Sequence, residues 1–427
     1  MGTMKSISSV WVVKQFCITS LLLLIMLASS RSSRSSRSST TAQAATGAPS
    51  GGPVASSSSV AAPPAQNNST GFCQTFIVSS DYTCSEYMVE TVDGYLLAIQ
   101  RIAAVAAPAA KGPAFLYHGI MEGGDIWVLN PGEESLAFLL ANSGYEVWIG
   151  NTRSTIYTFG HILYQRQQKE FWNWNWDDLV SKDLPSMLYA VYNHTQQPLF
   201  YVGYSQGSMT AFAAFSQGPL VNLVAKAAML SPVSHLKHIT SAVALAASYL
   251  YADQILLAAG FFEFNLYGEA VAKFLDIVCT SPQVDCTTDL LNQVTGTNCC
   301  LNETRMPLYY LYSFQSTSMQ NIAQLAQMVR TGGFGLYDYG YLGNLMNYHS
   351  ISAPQYDLSA IPASLPMLLA HGGNDTLSDP DDVANLISLL QGVPEVLYLP
   401  EYAHGDFIIG CTAGTLVYSH ILAFFEG

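Results

Sequence analysis

The chain of 427 residues is long enough for one large hydrophobic core or two modest ones. Half of its residues are hydrophobic and only 11% are charged, which indicates either membrane association or a globular protein that meets apolar surfaces. The formal net charge is -14, and all 30 acidic residues lie beyond residue 70. Such a surface repels nucleic acid, so nucleic-acid binding is excluded.

The first 28 residues are predicted to be a signal peptide. Lys5 and Lys14 precede an apolar run from Phe16 to Ala28, and small residues follow it. The run is short for a membrane span but has the length of a signal-peptide core. A signal anchor that stays in the membrane and a transit peptide remain as alternatives. Residues 29–70 are rich in Ser, Ala, Pro and Arg and cannot bury enough apolar surface to fold, so they are predicted to form a disordered spacer.

The cysteines are predicted to form disulfides rather than a metal site. The sequence contains neither a Cys-x-x-Cys pair nor a His-Glu-x-x-His motif, so we expect no metal ligands. Cys17 lies in the signal peptide. In an oxidising compartment Cys73 is expected to pair with Cys84, and Cys411 is left over. Two more bridges of open pairing are expected among Cys279, Cys286, Cys299 and Cys300.

The folded domain, residues 71–427, starts with a hairpin. The strands Tyr87–Thr91 and Tyr95–Ile102 are joined at Asp93-Gly94, a turn signal. Strands and helices then alternate, which predicts an α/β fold with a mostly parallel sheet covered by helices on both faces. The predicted elements are strand Pro113–His118, helix Leu136–Asn142, strand Tyr145–Gly150, helix Asp177–Tyr192 disturbed at Pro185, strand Leu199–Gly203, helix Met209–Phe215 and strand Val224–Ser231.

A mostly helical cap is predicted at about residues 235–353, where the alternation stops. This stretch is apolar and aromatic, and its segment Val243–Phe264 is either a lid face or ordinary cap core. The alternation then returns in four elements: strand Pro366–Ala370, helix Asp379–Leu390, strand Val396–Leu399 and helix Leu416–Phe425. The cap is therefore an insertion between two strands of the sheet.

A nucleophile is indicated at Ser205. The apolar run Leu199–Val202 leads into Gly203-Tyr204-Ser205-Gln206-Gly207, and a helical stretch follows. A sharp turn between a strand and a helix strains the serine backbone and exposes its hydroxyl, and the glycines avoid collisions with the neighbouring strand and helix.

A serine nucleophile needs a base and an acid that orients the base. In α/β-hydrolases these residues follow in the chain order Ser, Asp or Glu, His. Asp375 follows one predicted strand and His404 follows the last one, so both are expected at the edge of the sheet where the active site assembles. Other Asp and His residues are less suitable as the acid or the base. Asp379 and Asp381 are interpreted as helix caps and His118 as a structural residue of its loop. His371 precedes Asp375 in the chain, which is the wrong order for the base.

The oxyanion hole is predicted to use two backbone N–H groups. One belongs to Gln206, the residue after the nucleophile, and the other to Ile120, in the loop after the third strand. This chemistry requires no cofactor. The aromatic stretch 171–176 is more typical of core packing beside the helix after Ser205 than of an acyl channel.

The motifs resemble the acid lipase family of α/β-hydrolases, which includes gastric lipase, lysosomal acid lipase and plant triacylglycerol lipases. The resemblance spans residues 73–427, and residues 299–302 and 171–174 look closest to the plant branch. Tyr204 departs from the family's usual His, and His371 replaces an aromatic residue. The matching stretches are residues 86–95, 118–120, 135–138, 144–151, 201–207, 372–375 with 379–380, and 402–407.

The resemblance implies a serine lipase acting on acylglycerols, with Ser205, Asp375 and His404 as the triad and the amides of Ile120 and Gln206 as oxyanion donors. Its partner would be a lipid ester at a lipid–water interface, with peripheral contact to lipid droplets or membranes. We expect entry into the secretory pathway, followed by secretion or delivery to a lysosome or vacuole. Glycosylation sequons, which matter only on that route, begin at Asn67, Asn68, Asn193, Asn302 and Asn374.

Three alternatives remain. The first is a steryl-ester or other lipid-ester hydrolase, or an acyltransferase, on the same triad, because the cap decides what enters. The second is a catalytically impaired lipid-binding relative, for which Tyr204 is the only support. The third is a surface-anchored protein that keeps its N-terminal apolar segment.

Overall fold

The computed structural model describes residues 71–266 and 288–427. The predicted signal peptide and spacer therefore lie outside the described residues, as do Cys17, Cys279, Cys286 and the sequons at Asn67 and Asn68. In the described part of the chain, none of the helices combines the length and the hydropathy needed to cross a bilayer.

A central sheet of nine strands dominates the described residues, in the order β1-β2-β4-β3-β6-β7-β10-β11, with β5 paired to β2. All pairings from β4 to β11 are parallel, and only β1, β2 and β5 run antiparallel to their neighbours. A separate two-stranded sheet joins β8 to β9. The strands are β1 (Tyr82–Glu90), β2 (Tyr95–Ala104), β3 (Pro113–Tyr117), β4 (Glu146–Gly150), β5 (Gly160–His161), β6 (Leu199–Tyr204), β7 (Val224–Leu230), β8 (Glu263–Phe264), β9 (Thr317–Ser318), β10 (Met367–Gly372) and β11 (Glu395–Leu399).

Helices cover both faces of this sheet. Alternate residues of β3 point to opposite faces, so Phe115 joins one hydrophobic core and Leu116 the other. The predicted α/β-hydrolase architecture is confirmed. The helices are α1 (Phe72–Phe76), α2 (Leu136–Asn142), α3 (Trp176–Asp178), α4 (Leu184–Thr195), α5 (Gln206–Ser216), α6 (Ala242–Tyr249), α7 (Ala252–Ala258), α8 (Thr288–Thr295), α9 (Met306–Tyr312), α10 (Met319–Thr331), α11 (Gly340–Tyr348), α12 (Pro380–Leu389), α13 (Asp406–Ile409) and α14 (Ser419–Glu426).

The predicted helix Asp177–Tyr192 is divided. A π-helical turn, Leu179–Asp183, separates α3 from α4, and Pro185 lies in the first turn of α4. Proline has no N–H and cannot donate the usual bond to the preceding turn, so the disturbance lies before the proline rather than at it.

The chain between β7 and β10, residues 231–366, adds no strand to the central sheet in its described part. Its described elements are α6 to α11 with the small sheet β8–β9. The narrower limits of about 235–353 remain a prediction for the cap itself. The aromatic stretch 171–176 packs in the core with α5, as expected, because Phe171, Trp172, Trp174 and Trp176 are buried there.

The disulfides follow the prediction where they are described. Cys73 is bonded to Cys84, which ties α1 to β1. Cys299 and Cys300, whose partners the sequence left open, are bonded to each other. Cys411 is free and exposed.

Candidate active site

Ser205 lies in a strained turn between β6 and α5. Its backbone has φ 53° and ψ -117°, a conformation that residues other than glycine rarely adopt. A Cβ on Gly207 would lie 2.3 Å from the carbonyl oxygen of Tyr117 in β3, and one on Gly203 would lie 2.9 Å from the carbonyl of Gly207. Both glycines are therefore required by close backbone approaches.

His404 and Asp375 meet Ser205 at the carboxyl ends of the parallel strands. His404 follows β11, and its Nε2 lies 2.8 Å from the Oγ of Ser205. Its Nδ1 lies 3.0 Å and 2.9 Å from the two carboxylate oxygens of Asp375, in the loop after β10. Because only a donor at Nδ1 satisfies the carboxylate, Nε2 is left to accept the Ser205 proton.

The Asp375 carboxylate is fixed by its own loop. Its Oδ1 accepts backbone N–H bonds from Leu377 at 2.9 Å and from Ser378 at 2.8 Å. The side chains of Asp375 and His404 are both buried. The carboxylate is therefore held in contact with the imidazole of His404.

The predicted oxyanion residues lie beside the nucleophile. Gln206 is the first residue of α5, where backbone N–H groups have no partner within the helix. Ile120 follows Gly119, and a Cβ on that glycine would lie only 3.1 Å from the Cβ of Ser205. Both amides are thus carried by segments that adjoin the serine.

His118 is a structural residue of the same loop. Its Nδ1 donates to the carbonyl of Gly119 at 2.7 Å, and its Nε2 accepts the N–H of Thr152 at 3.1 Å. Burial lowers the pKa of His118 to about 4, so the ring stays neutral and keeps this pair of bonds.

The other rivals also have structural roles. Asp379 caps α12 by accepting the N–H of Asp381 at 2.9 Å, as predicted. His371 lies in β10 with its ring 5.0 Å from that of Tyr398. The structure thus brings together Ser205, Asp375 and His404 and gives their rivals other contacts.

Comparison with known proteins gives the family. A family model described as alpha/beta hydrolase fold matches residues 115–409, and one described as partial alpha/beta-hydrolase lipase region matches residues 73–131. Triacylglycerol lipase 1 of Arabidopsis thaliana is 41% identical over 355 residues, 83% of this chain and 90% of the relative. The chain belongs to the lipase family of α/β-hydrolases.

Relatives of this α/β-hydrolase lipase extend beyond plants. Gastric triacylglycerol lipase of Rattus norvegicus is 32% identical, over 80% of this chain and 88% of the relative. A soluble variant of monoglyceride lipase from Saccharomyces cerevisiae has a TM-score of 0.51 at 16% identity, covering 82% of this chain and 95% of that chain. The solved structure supports the fold alone, whereas the sequence relatives confirm the resemblance to triacylglycerol lipases.

In this lipase, Tyr204 contacts the base loop. Its hydroxyl donates to the main-chain oxygen of His404 at 3.1 Å, and the two rings lie 5.2 Å apart. The departure from the family's usual His is therefore accommodated by a direct bond. The sequence indicated that the Tyr204 hydroxyl could form a local hydrogen bond, but it did not identify His404 as the partner.

Asp406 holds the other side of the base loop. Its carboxylate accepts backbone N–H bonds from Ala403 at 2.8 Å and from both Cys299 and Cys300 at 3.0 Å. Cys299, Cys300 and Asp406 have the spacing of a metal site within the described residues. However, the two sulfurs are bonded to each other and the carboxylate is engaged by N–H groups, so this cluster is better explained as a structural clamp.

Gln206 is bonded to the inserted region. Its side-chain Nε2 donates to Oδ1 of Asn321 in α10 at 2.8 Å, and the Asn321 amide donates back to Oε1 at 3.2 Å. The partners are 115 residues apart, and Asn321 belongs to no motif, so no sequence signal identified the partner of Gln206.

Proposed function

We propose that this lipase hydrolyses carboxylic ester bonds of acylglycerols, with Ser205 as nucleophile, His404 as base and Asp375 as the acid that orients it. The proposal is carried by the continuous hydrogen bonds from Ser205 Oγ to His404 Nε2 and from His404 Nδ1 to Asp375, at 2.8 Å and 2.9 Å. Relatives named triacylglycerol lipase support the substrate class.

In the first half of the reaction, Ser205 Oγ attacks the ester carbonyl while His404 Nε2 takes its proton. The carbonyl oxygen becomes negative and is stabilised by the amides of Gln206 and Ile120. The imidazolium is stabilised by the adjacent Asp375 carboxylate. His404 then gives its proton to the leaving alcohol, and the acyl group stays on Ser205.

In the second half, water occupies the place of the alcohol. His404 takes a proton from this water, which attacks the acyl-enzyme carbonyl at the same oxyanion donors. The tetrahedral species collapses when His404 returns the proton to Ser205 Oγ. The fatty acid leaves and the free enzyme is regenerated.

Contact with a lipid surface is supported by the inserted region. Helices α6 and α7 and the turn after them expose large apolar side chains to solvent. We therefore propose that this face meets the lipid that carries the substrate. The exposed residues are Val243, Tyr249, Leu250, Tyr251, Ile255 and Phe261.

Passage through the secretory pathway is part of the proposal. The bond between Cys73 and Cys84 suits an oxidising compartment, and Asn193 and Asn374, which begin sequons, are exposed. Mass spectrometry of the protein from a eukaryotic secretory host would locate the N-terminus and the glycans. A chain that starts before residue 28 and carries no glycan would contradict this route.

The decisive experiment compares hydrolysis of emulsified triolein, monoolein and a cholesteryl ester. Wild type is measured beside Ser205→Ala and beside Ser216→Ala, a control at the far end of the helix that follows Ser205. We expect triolein hydrolysis to fall by several orders of magnitude in Ser205→Ala alone. Preference for the cholesteryl ester would favour the steryl-ester alternative. Failure of folded wild type to react with a fluorophosphonate probe would favour the impaired lipid-binding alternative.

A further inference from the structure

Glu122 places a carboxyl group beside the proposed oxyanion hole. Its Oε2 accepts the backbone N–H of Gly119 at 3.0 Å, which closes the loop that carries Ile120. A Cβ on Gly119 would lie 2.6 Å from this Oε2, 3.1 Å from the Cβ of Ser205 and 3.2 Å from the Tyr204 ring. The carboxyl group and the nucleophile therefore flank the same glycine.

The loop around Glu122 is tightly determined. Met121 has a left-handed backbone, with φ 60°, which few residues other than glycine adopt. Its carbonyl accepts the N–H of Gln315 from the inserted region at 2.7 Å. The Glu122 side chain is thus held near Ser205 by its own bond to Gly119 and by the bond that fixes the preceding residue to the inserted region.

The titratable groups that face Glu122 provide it with no fixed positive charge. Its own loop contributes Asp125, which is acidic, and His118, which burial keeps neutral. The turn after β6 contributes the Tyr204 hydroxyl, which is bonded to the main chain of His404. Burial, opposed by the Gly119 N–H and assisted by Asp125, raises the pKa of Glu122 to about 8.

We propose that Glu122 is a proton-dependent positioning residue of the oxyanion hole. In its neutral form it holds the Gly119–Ile120 segment and leaves the hole free of negative charge. In its ionised form it faces the negative oxygen that develops during attack and slows acylation. This inference rests on the proposed function, and it adds a regulating group to the same site.

The sign of the pH effect follows from the form that is active. Glu122 is neutral below its pKa, so activity is present there and is lost as pH rises through about 8. Two unit charges within one active site repel appreciably even at a moderate effective dielectric constant. His404 becomes positive in the same step and offsets part of this repulsion. We therefore expect kcat/KM to fall about tenfold rather than about a hundredfold.

The test is the pH profile of kcat/KM from about pH 5 to 10, with hydrolysis measured by pH-stat titration. The substrate is a soluble short-chain ester, so that no lipid interface affects the rate. Glu122→Gln keeps the shape and an acceptor for Gly119 but cannot ionise. We expect this variant to lose the alkaline decline, so that the ratio of its kcat/KM to that of wild type rises about tenfold between about pH 6 and about pH 10. Glu90→Gln, an exposed carboxylate in β1, is the matched control and should keep the decline.

Several results would overturn the inference. One is a wild-type kcat/KM that does not decline at alkaline pH. Another is a Glu122→Gln profile that keeps this decline or is lower than wild type by the same factor at every pH. If Glu122→Gln does not fold, the profile is measured on Glu122→Met. The rate at which a fluorophosphonate labels Ser205 in wild type must fall over the same pH range, and a flat rate refutes the proposal. Absence of both hydrolysis and labelling in folded wild type would instead refute the proposed function.

Discussion

Asp375→Asn is the sharpest test of the triad, because the loop around this residue dictates how an amide must sit. In the wild type, Oδ1 accepts the N–H groups of Leu377 and Ser378. An asparagine must therefore place its oxygen there and turn its NH2 group toward His404 Nδ1. Facing a donor, Nδ1 becomes an acceptor and the ring proton moves to Nε2. Nε2 then cannot accept the proton of Ser205.

The size of the effect follows from the cost of the opposite amide orientation. That orientation would face the NH2 group toward two backbone N–H donors, at about 1–3 kcal/mol for each unsatisfied donor. The wrong tautomer is therefore favoured by about 2–6 kcal/mol. The variant also lacks the negative charge that stabilises the imidazolium, so we expect the upper part of this range, a fall in kcat of about ten-thousandfold.

The assay is kcat on a soluble ester, with circular dichroism to establish that the variant is folded. Asp379→Asn is the matched control, because Asp379 is a nearby helix cap and asparagine caps equally well. Its kcat should stay within about twofold of wild type. A fall of less than about tenfold in folded Asp375→Asn would refute the assigned role.

Three further predictions concern the supports of the site. Tyr204→Phe removes a bond to the base loop and should lower kcat on a soluble ester about two- to tenfold; an unchanged kcat would contradict its positioning role. Gln206→Ala, Asn321→Ala and their double variant should give a coupling free energy of about 1–2 kcal/mol when unfolding is measured in urea. If the two losses of unfolding free energy simply add, the amide pair contributes nothing to stability. Arg153→Met should cost about 3–5 kcal/mol of unfolding free energy because it leaves the buried Asp183 carboxylate without its cation, and Asp183→Leu in addition should restore much of it; no recovery in the thermal midpoint would contradict this account.

The elements predicted well are those whose signal is local. Helix Leu136–Asn142 has its predicted bounds, and the strand predicted at Pro113–His118 ends one residue earlier. A strand buried on both faces must be an apolar run, and the turn with Ser205 at φ 53° needs the glycines two residues before and after it, Gly203 and Gly207. The order of Ser205, Asp375 and His404 along the chain added a long-range constraint, because parallel strands bring their carboxyl ends to one edge.

The supports of the site could not be predicted because their partners are distant and follow no period. Arg153 is fully buried between Asp183 and Asp93, which are 30 and 60 residues away in sequence. A lone arginine between polar residues is more typical of a surface loop. Glu122 likewise belongs to no motif, and only the folded loop shows that its carboxyl group lies close to Ser205.

The contacts of the inserted region also limit how a substrate can enter. The N–H of His404 donates to the carbonyl of Thr295 at 3.1 Å, and the Thr376 hydroxyl donates to the carbonyl of Val294 at 2.8 Å. Moving the end of α8, which carries Val294 and Thr295, would break these bonds to the loops that carry Asp375 and His404. Such a movement would displace the two side chains from Ser205. We therefore expect access to open elsewhere in the inserted region, through α6 and α7, whose apolar side chains face solvent. One part of the insertion thus contacts the loops that carry Asp375 and His404, while another part presents apolar side chains to solvent.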